Sequence, residues 1–105
     1  MSELVVAVYR EGKGFRVEPG RLLVRHADTI MLYSVDNLPV TVFVPPSLGG
    51  EARVISLGGH NPRFGLLPVA PGIAPGCYEY AVHVDLETEH VFAEGGSQPK
   101  IIVLE

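Results

Sequence analysis

Four histidines, His26, His60, His83 and His90, and a single cysteine, Cys77, are the side chains of this 105-residue chain best suited to metal or redox chemistry. Imidazole nitrogens suit zinc and copper, and a thiolate suits copper, zinc and disulfide exchange. No two of the histidines stand at the short interval of a zinc motif. His26, beside a turn, and His83, on the outer side of an alternating stretch, read as solvent-facing, whereas His60 and His90 fall in loop sequence. A metal bound without a recognised motif would draw on His60, His90, His83 and Cys77. Cys77 has no basic neighbour in sequence to favour its thiolate, and one cysteine cannot form an intramolecular disulfide. The segment Gly58-Gly59-His60-Asn61-Pro62-Arg63-Phe64-Gly65 combines free backbone with groups that suit an anion. No Gly-Lys-Ser/Thr follows, so it is not a phosphate loop, and it reads first as an ordinary long connection whose glycines relieve strain. The acidic stretch Asp85-Leu86-Glu87-Thr88-Glu89, with Glu94 beyond it, reads as a solvated face. No Ser/His/Asp set or carboxylate pair is placed in one cleft by its order, so no catalytic residue is assigned and no enzyme is expected.

The elements that must hold these residues are strands. Twelve glycines and nine prolines cut the chain into short apolar runs, as turns do between short strands. The β-branched and aromatic runs are Leu4–Tyr9, Phe15–Val17, Leu22–Arg25, Thr29–Asp36, Val40–Val44, Arg53–Leu57, Leu66–Val69, Tyr78–Val84 and Ile101–Leu104. None holds a helical period; one helical turn, near Pro46–Gly50 or within Asp85–Ala93, is the most the sequence allows. Alternation in Tyr78–Val84 turns Tyr78, Tyr80, Val82 and Val84 to the core and Glu79, Ala81 and His83 away from it. Ile30–Val35 and Ile101–Leu104 carry apolar groups on both faces, which marks strands covered on both sides or a contact surface. The pattern predicts one all-β domain over residues 1–105, a Greek-key β-sandwich or barrel of about seven to nine short strands. Its expected core includes Ile30, Leu32, Val40, Val42, Tyr78, Tyr80, Val82, Ile101 and Val103.

Charge narrows the partners. A formal net charge of −4, with eight scattered Lys and Arg, gives no basic run to neutralise a phosphate backbone, so no nucleic acid is expected. No apolar run is long enough for a membrane-spanning helix. The start Met1-Ser2-Glu3 has no basic and apolar leader pattern, which reads most simply as a cytoplasmic protein.

Three segments, in order, resemble the cupredoxins. Leu23-Val24-Arg25-His26-Ala27-Asp28-Thr29-Ile30-Met31-Leu32 is similar to the family's strand, Gly-Asp-Thr-Val, strand passage, with Ala27 where the glycine usually stands and Phe15–Pro19 as lead-in. Asp36-Asn37-Leu38-Pro39-Val40-Thr41-Val42-Phe43 is similar to its Asn-rich turn and Pro-His strand. Pro75-Gly76-Cys77-Tyr78-Glu79-Tyr80-Ala81-Val82 resembles Pro-Gly-Thr-Tyr-x-Phe-x-Cys, and Ser97–Val103 resembles the closing strand. Together they cover about half the chain. The resemblance implies a cupredoxin-like fold and a copper site of two imidazoles, one thiolate and an axial thioether. It would place the first imidazole at Val40, the thiolate at Val82, the axial ligand near Ser97 and the second imidazole at His90. Valine and serine cannot serve in those places, so the type-1 site is expected to be lost and no cofactor is assigned. Cys77 and His83 stand at odd offsets from Val82 and should face the other way.

The reading that follows is a non-enzymatic domain binding a protein partner or a second copy of itself. Its expected contact face is Met31, Tyr33, Val35, Ile102 and Leu104. The alternatives are a metal or redox protein using His60, His90, His83 or Cys77, and a small-molecule binder using the His60–Gly65 loop.

Overall fold

The computed structural model describes residues 3–12, 14–25, 28–49, 53–68, 72–86, 90–93 and 99–104. Within them the chain forms β1 (Glu3–Glu11), β2 (Gly14–Glu18), β3 (Arg21–Val24), β4 (Thr29–Ser34), β5 (Val40–Val44), β6 (Arg53–Leu57), β7 (Phe64–Pro68), β8 (Gly76–Glu79), β9 (Ala81–Asp85), β10 (His90–Phe92) and β11 (Lys100–Val103). One 3-10 turn spans Val35–Asn37 and one helical turn, α1, spans Pro46–Gly49. The all-β expectation holds, and α1 lies where a single helical turn was allowed.

The first sheet has the order β2-β1-β4-β7, with β1 and β4 parallel and the outer pairs antiparallel. The second is β10-β9-β5-β6, antiparallel throughout, and the third is β3-β11-β8. β8 and β9 are separated by Tyr80 alone, whose N–H donates to the Pro99 carbonyl at 3.1 Å. The second and third sheets therefore join through one continuous run of chain. One apolar cluster draws on all three sheets: Val6, Ile30, Leu32 and Leu67 from the first, Val42, Val82 and Val84 from the second, Val24, Ile101 and Val103 from the third. Burying these β-branched and leucine side chains, each contributing about 1.5–3 kcal/mol, is what holds the layers together.

The expected core residues are all buried except Tyr78, which is half-buried against the cluster. Eleven strands replace the expected seven to nine, for two reasons. The run Tyr78–Val84 is divided at Tyr80, because its first half pairs with β11 and its second with β5. In place of the helical turn allowed within Asp85–Ala93, the described part of that stretch holds β10, paired antiparallel to β9. The run from Thr29 stops at Ser34, where Asp36 (φ 57°) and Asn37 (φ 55°) turn the chain through left-handed backbone that these residue types tolerate.

Candidate functional site

Val40 and Val82, the positions matched to two copper ligands, lie on neighbouring strands. β5 and β9 pair Val40 with Val84 and Val42 with Val82, which sets Val40 and Val82 diagonally on one face. Both are buried in the apolar cluster, and their side chains offer no lone pair to a metal ion. Ser97 lies outside the described residues, as does His26. His90, matched to the second imidazole, stands in β10 opposite Asp85. Its side chain lies outside what the structure describes, while Val82 and Val84 face the core.

Cys77 is exposed on β8 opposite Ile102. It stands in the third sheet, whereas His83 stands in the second, beyond the break at Tyr80. The Tyr78 hydroxyl donates to the Ala74 carbonyl and ties the corner before β8, a structural task.

The glycine-rich loop is bound to the turn after β4. The Gly58 N–H donates to the Pro62 carbonyl (2.8 Å), Gly59 N–H to Asn37 O (3.0 Å), Asn37 Nδ2 to Gly59 O (3.2 Å) and Ser34 N–H to Arg63 O (2.7 Å). The first of these closes the loop on itself, and the others tie it to Ser34 and Asn37. His60, Asn61 and Arg63 point into solvent, and none of them lines the groove described next.

That groove, of about 370 Å³ and open to solvent, runs along the outer side of β5, β6 and the β8–β9 junction. Phe43, Pro45, Pro46, Val54 and Ala81 form its apolar walls, with Arg53 and Glu79 beside them. Nothing in the sequence pattern marked it, because its walls come from three separate runs.

A polar cluster lies on the same sheet face. The Thr41 hydroxyl donates to Asp85 Oδ2 at 2.6 Å, and His83 Nδ1 lies 3.3 Å from Asp85 Oδ1. The Phe43 ring meets the His83 ring edge-on, with centroids 6.1 Å apart. Among the described residues no three His, Cys, Asp or Glu side chains are grouped as for a metal ion.

The five residues expected to form one contact face are divided. Met31 and Tyr33 lie in β4 on the first sheet, Val35 in the 3-10 turn, and Ile102 in β11 on the third sheet, with Leu104 just after it. All five are half-buried. The register surrounds Met31 and Tyr33 with further apolar residues: Val5, Met31 and Leu66 form one row across three strands, and Ala7, Tyr33 and Phe64 form the next. Val5, Phe64 and Leu66 are 53%, 56% and 56% exposed, and Tyr33 and Phe64 stack at 6.5 Å. On the third sheet Leu23, Ile102 and Cys77 make a single row.

No helix among the described residues is long and apolar enough to cross a membrane. No protein-family model and no curated protein sequence matches the chain. Solved structures do match in fold. A methionine-to-alanine variant of amicyanin with Cu(I) superposes with a TM-score of 0.67 and 21% identity, over 97% of this chain and 82% of that one. A pseudoazurin from Sinorhizobium meliloti superposes with a TM-score of 0.62 and 17% identity, over all of this chain and 76% of that one. With the strand order above, these likenesses establish that the chain has the cupredoxin-like β-sandwich fold.

Proposed function

We propose that the chain is a non-enzymatic cupredoxin-like domain without a type-1 copper centre, acting as a protein-interaction or structural module. The observation that carries this is the two-row apolar surface of Val5, Met31, Leu66, Ala7, Tyr33 and Phe64, much of it in solvent. Exposed apolar area of this kind, contiguous over three strands, is retained where a partner covers it. Support for the missing copper centre comes from ligand chemistry: valine at 40 and 82 supplies neither imidazole nor thiolate, and an intensely absorbing copper–thiolate bond has no sulfur to form on at Val82. Its partner is a second copy of the chain or another protein, and closed two-fold pairs are the commonest self-assembly.

Sedimentation velocity over a wide concentration range, together with Cu²⁺ titration followed by absorbance, tests this reading. Concentration-dependent association that disappears in Leu66→Asp supports it. An intense blue band on adding Cu²⁺ would overturn it, because that colour requires the thiolate site argued to be missing.

A further inference from the structure

We propose that the groove on the outer side of β5 and β6 binds an apolar peptide segment of another protein that carries one basic and one acidic residue three positions apart. This is a second contact surface, on a different sheet from the two apolar rows above, and it does not depend on them.

Register builds the floor of the groove. β5 pairs Phe43 with Val54 of β6 and with Ala81 of β9, so the three make one apolar row across three strands. Phe43 and Val54 are exposed, and the His83 ring packs edge-on against the Phe43 ring. The adjoining row, His83, Thr41 and Ser56, is polar and bounds the floor on one side. Pro45 and Pro46 wall the other end, and prolines have no rotamer freedom to lose when an occupant covers them.

Charge states what the occupant must carry. β6 and β9 both run antiparallel to β5, and therefore parallel to each other. Arg53, one residue before Val54, and Glu79, two before Ala81, accordingly flank the same end of the groove from opposite sides, and both line it. Neither makes an ion pair among the described residues, although Glu79 stands opposite Lys100 of β11. A cation and an anion on opposite sides of an apolar floor are complemented by the reverse charges with apolar groups between them.

Spacing and shape select a peptide. β5 lies between the two charged sides, which sets them about 9–10 Å apart. An extended polyproline-II segment has three residues per turn and rises about 3.1 Å per residue, so residues three apart share a side at about 9 Å. The groove is open to solvent, so it covers one side of an extended chain and does not enclose a small molecule as a ligand pocket does. A second copy of this chain is the poorer occupant, because two different self-contacts on one molecule build an open array and not a closed pair.

The test is NMR titration of the isotope-labelled full chain with the capped peptide Ac-Lys-Leu-Pro-Glu-NH2 and its Lys/Lys, Glu/Glu and Gln/Gln analogues. Salt at about 0.15 M screens charges farther than about 8 Å, so the chain's overall charge does not decide the ranking. The mixed-charge peptide should shift the amide signals of Phe43, Val54 and Ala81 saturably and bind about threefold tighter than each analogue. Arg53→Glu leaves two acidic sides and should transfer the preference to the Lys/Lys peptide; Glu79→Arg should transfer it to Glu/Glu. Circular dichroism checks folding. Arg53→Gln and Glu79→Gln replace a variant that fails it, and should make the mixed peptide equal to Lys/Lys and to Glu/Glu respectively. Leu66→Asp should bind as the wild type does, which separates this groove from the first-sheet surface. Absence of saturable shifts at these residues, or four peptides binding alike, would overturn the proposal. Self-association lost in Val54→Asp and kept in Leu66→Asp would give the groove to a second copy and overturn it as well.

Discussion

Tyr80 carries the polar atom most out of place in this protein. The residue is 1% exposed, and its hydroxyl has no hydrogen-bond partner among the described residues. A buried hydroxyl left unpaired costs about 1–3 kcal/mol relative to one that is satisfied. Tyr80→Phe keeps the ring that packs the core and removes the orphaned atom. It should stabilise the fold by about 1 kcal/mol, raising the melting temperature by roughly 4–8 °C in a domain of this size. Burial also pushes the Tyr80 hydroxyl well above the ordinary tyrosine range. In the unfolded chain it ionises near its usual pKa of about 10, while in the folded protein it stays neutral. The unfolded state thus holds fewer protons above that pH, so this part of the stability is present below about pH 10 and is lost as pH rises further. Denaturant melts between pH 8 and 11 should show a shallower alkaline decline in Tyr80→Phe than in the wild type. Equal slopes and an unraised melting temperature would mean the hydroxyl has found a partner.

At the scale of elements, the connection between β6 and β7 is held by contacts that leave no room for a side chain. Gly58 has φ +68°, and a Cβ there would lie 1.9 Å from the Leu38 carbonyl oxygen and 3.0 Å from Ser34 Oγ. Ser34 is fully buried and donates to that same carbonyl at 2.6 Å, so the carbonyl cannot retreat without giving up the bond. Gly58→Ala should cost several kcal/mol, since strained backbone, displaced main chain and a lost buried hydrogen bond add together. Gly12→Ala, with a similar φ of +60° but nothing within 4 Å, should cost only about 1 kcal/mol. Equilibrium urea unfolding of the two variants checks the difference, and equal losses would refute the close-contact argument. The same elements mark where the sequence was readable. β5 and β6 match their apolar runs residue for residue, because period-two alternation, with Val40, Val42 and Val44 buried on β5 and Leu57 on β6, leaves one register that fills the core. β10 was not readable: His90-Val91-Phe92 is too short to show a period and follows an acidic stretch, and it is a strand because β9 offers it a free edge. The division of Met31 and Tyr33 from Ile102 was hidden too, since alternation assigns a face within a strand but does not say which sheet the strand joins.

Over the whole molecule the outer surfaces differ: the second sheet mixes a polar cluster with the apolar groove walls Phe43 and Val54, whereas the first is apolar along two rows. The second sheet presents Thr41, His83 and Asp85, whereas the first presents two apolar rows across β1, β4 and β7. The third sheet has a single apolar row, Leu23, Ile102 and Cys77, in which Leu23 is 58% exposed. Both apolar surfaces were joined in one expected contact face, and they can now be tested apart. Two rows on three strands give a first-sheet partner more water-free contact than one row gives, and apolar contact scales with the area removed from water. Leu66→Asp should therefore abolish self-association while Leu23→Asp leaves it close to wild type. Each replaces a solvent-exposed side chain, so neither should change folding stability by more than about 0.5 kcal/mol. Association between copies of a chain with net charge −4 is opposed by like-charge repulsion, which salt screens. Sedimentation should accordingly show a dimer that strengthens, or holds, as salt is raised, and that persists in Leu23→Asp. Loss of association in Leu23→Asp with retention in Leu66→Asp would move the contact to the third sheet. A dimer that dissociates with added salt would mean that charge pairing, not the apolar rows, joins the copies.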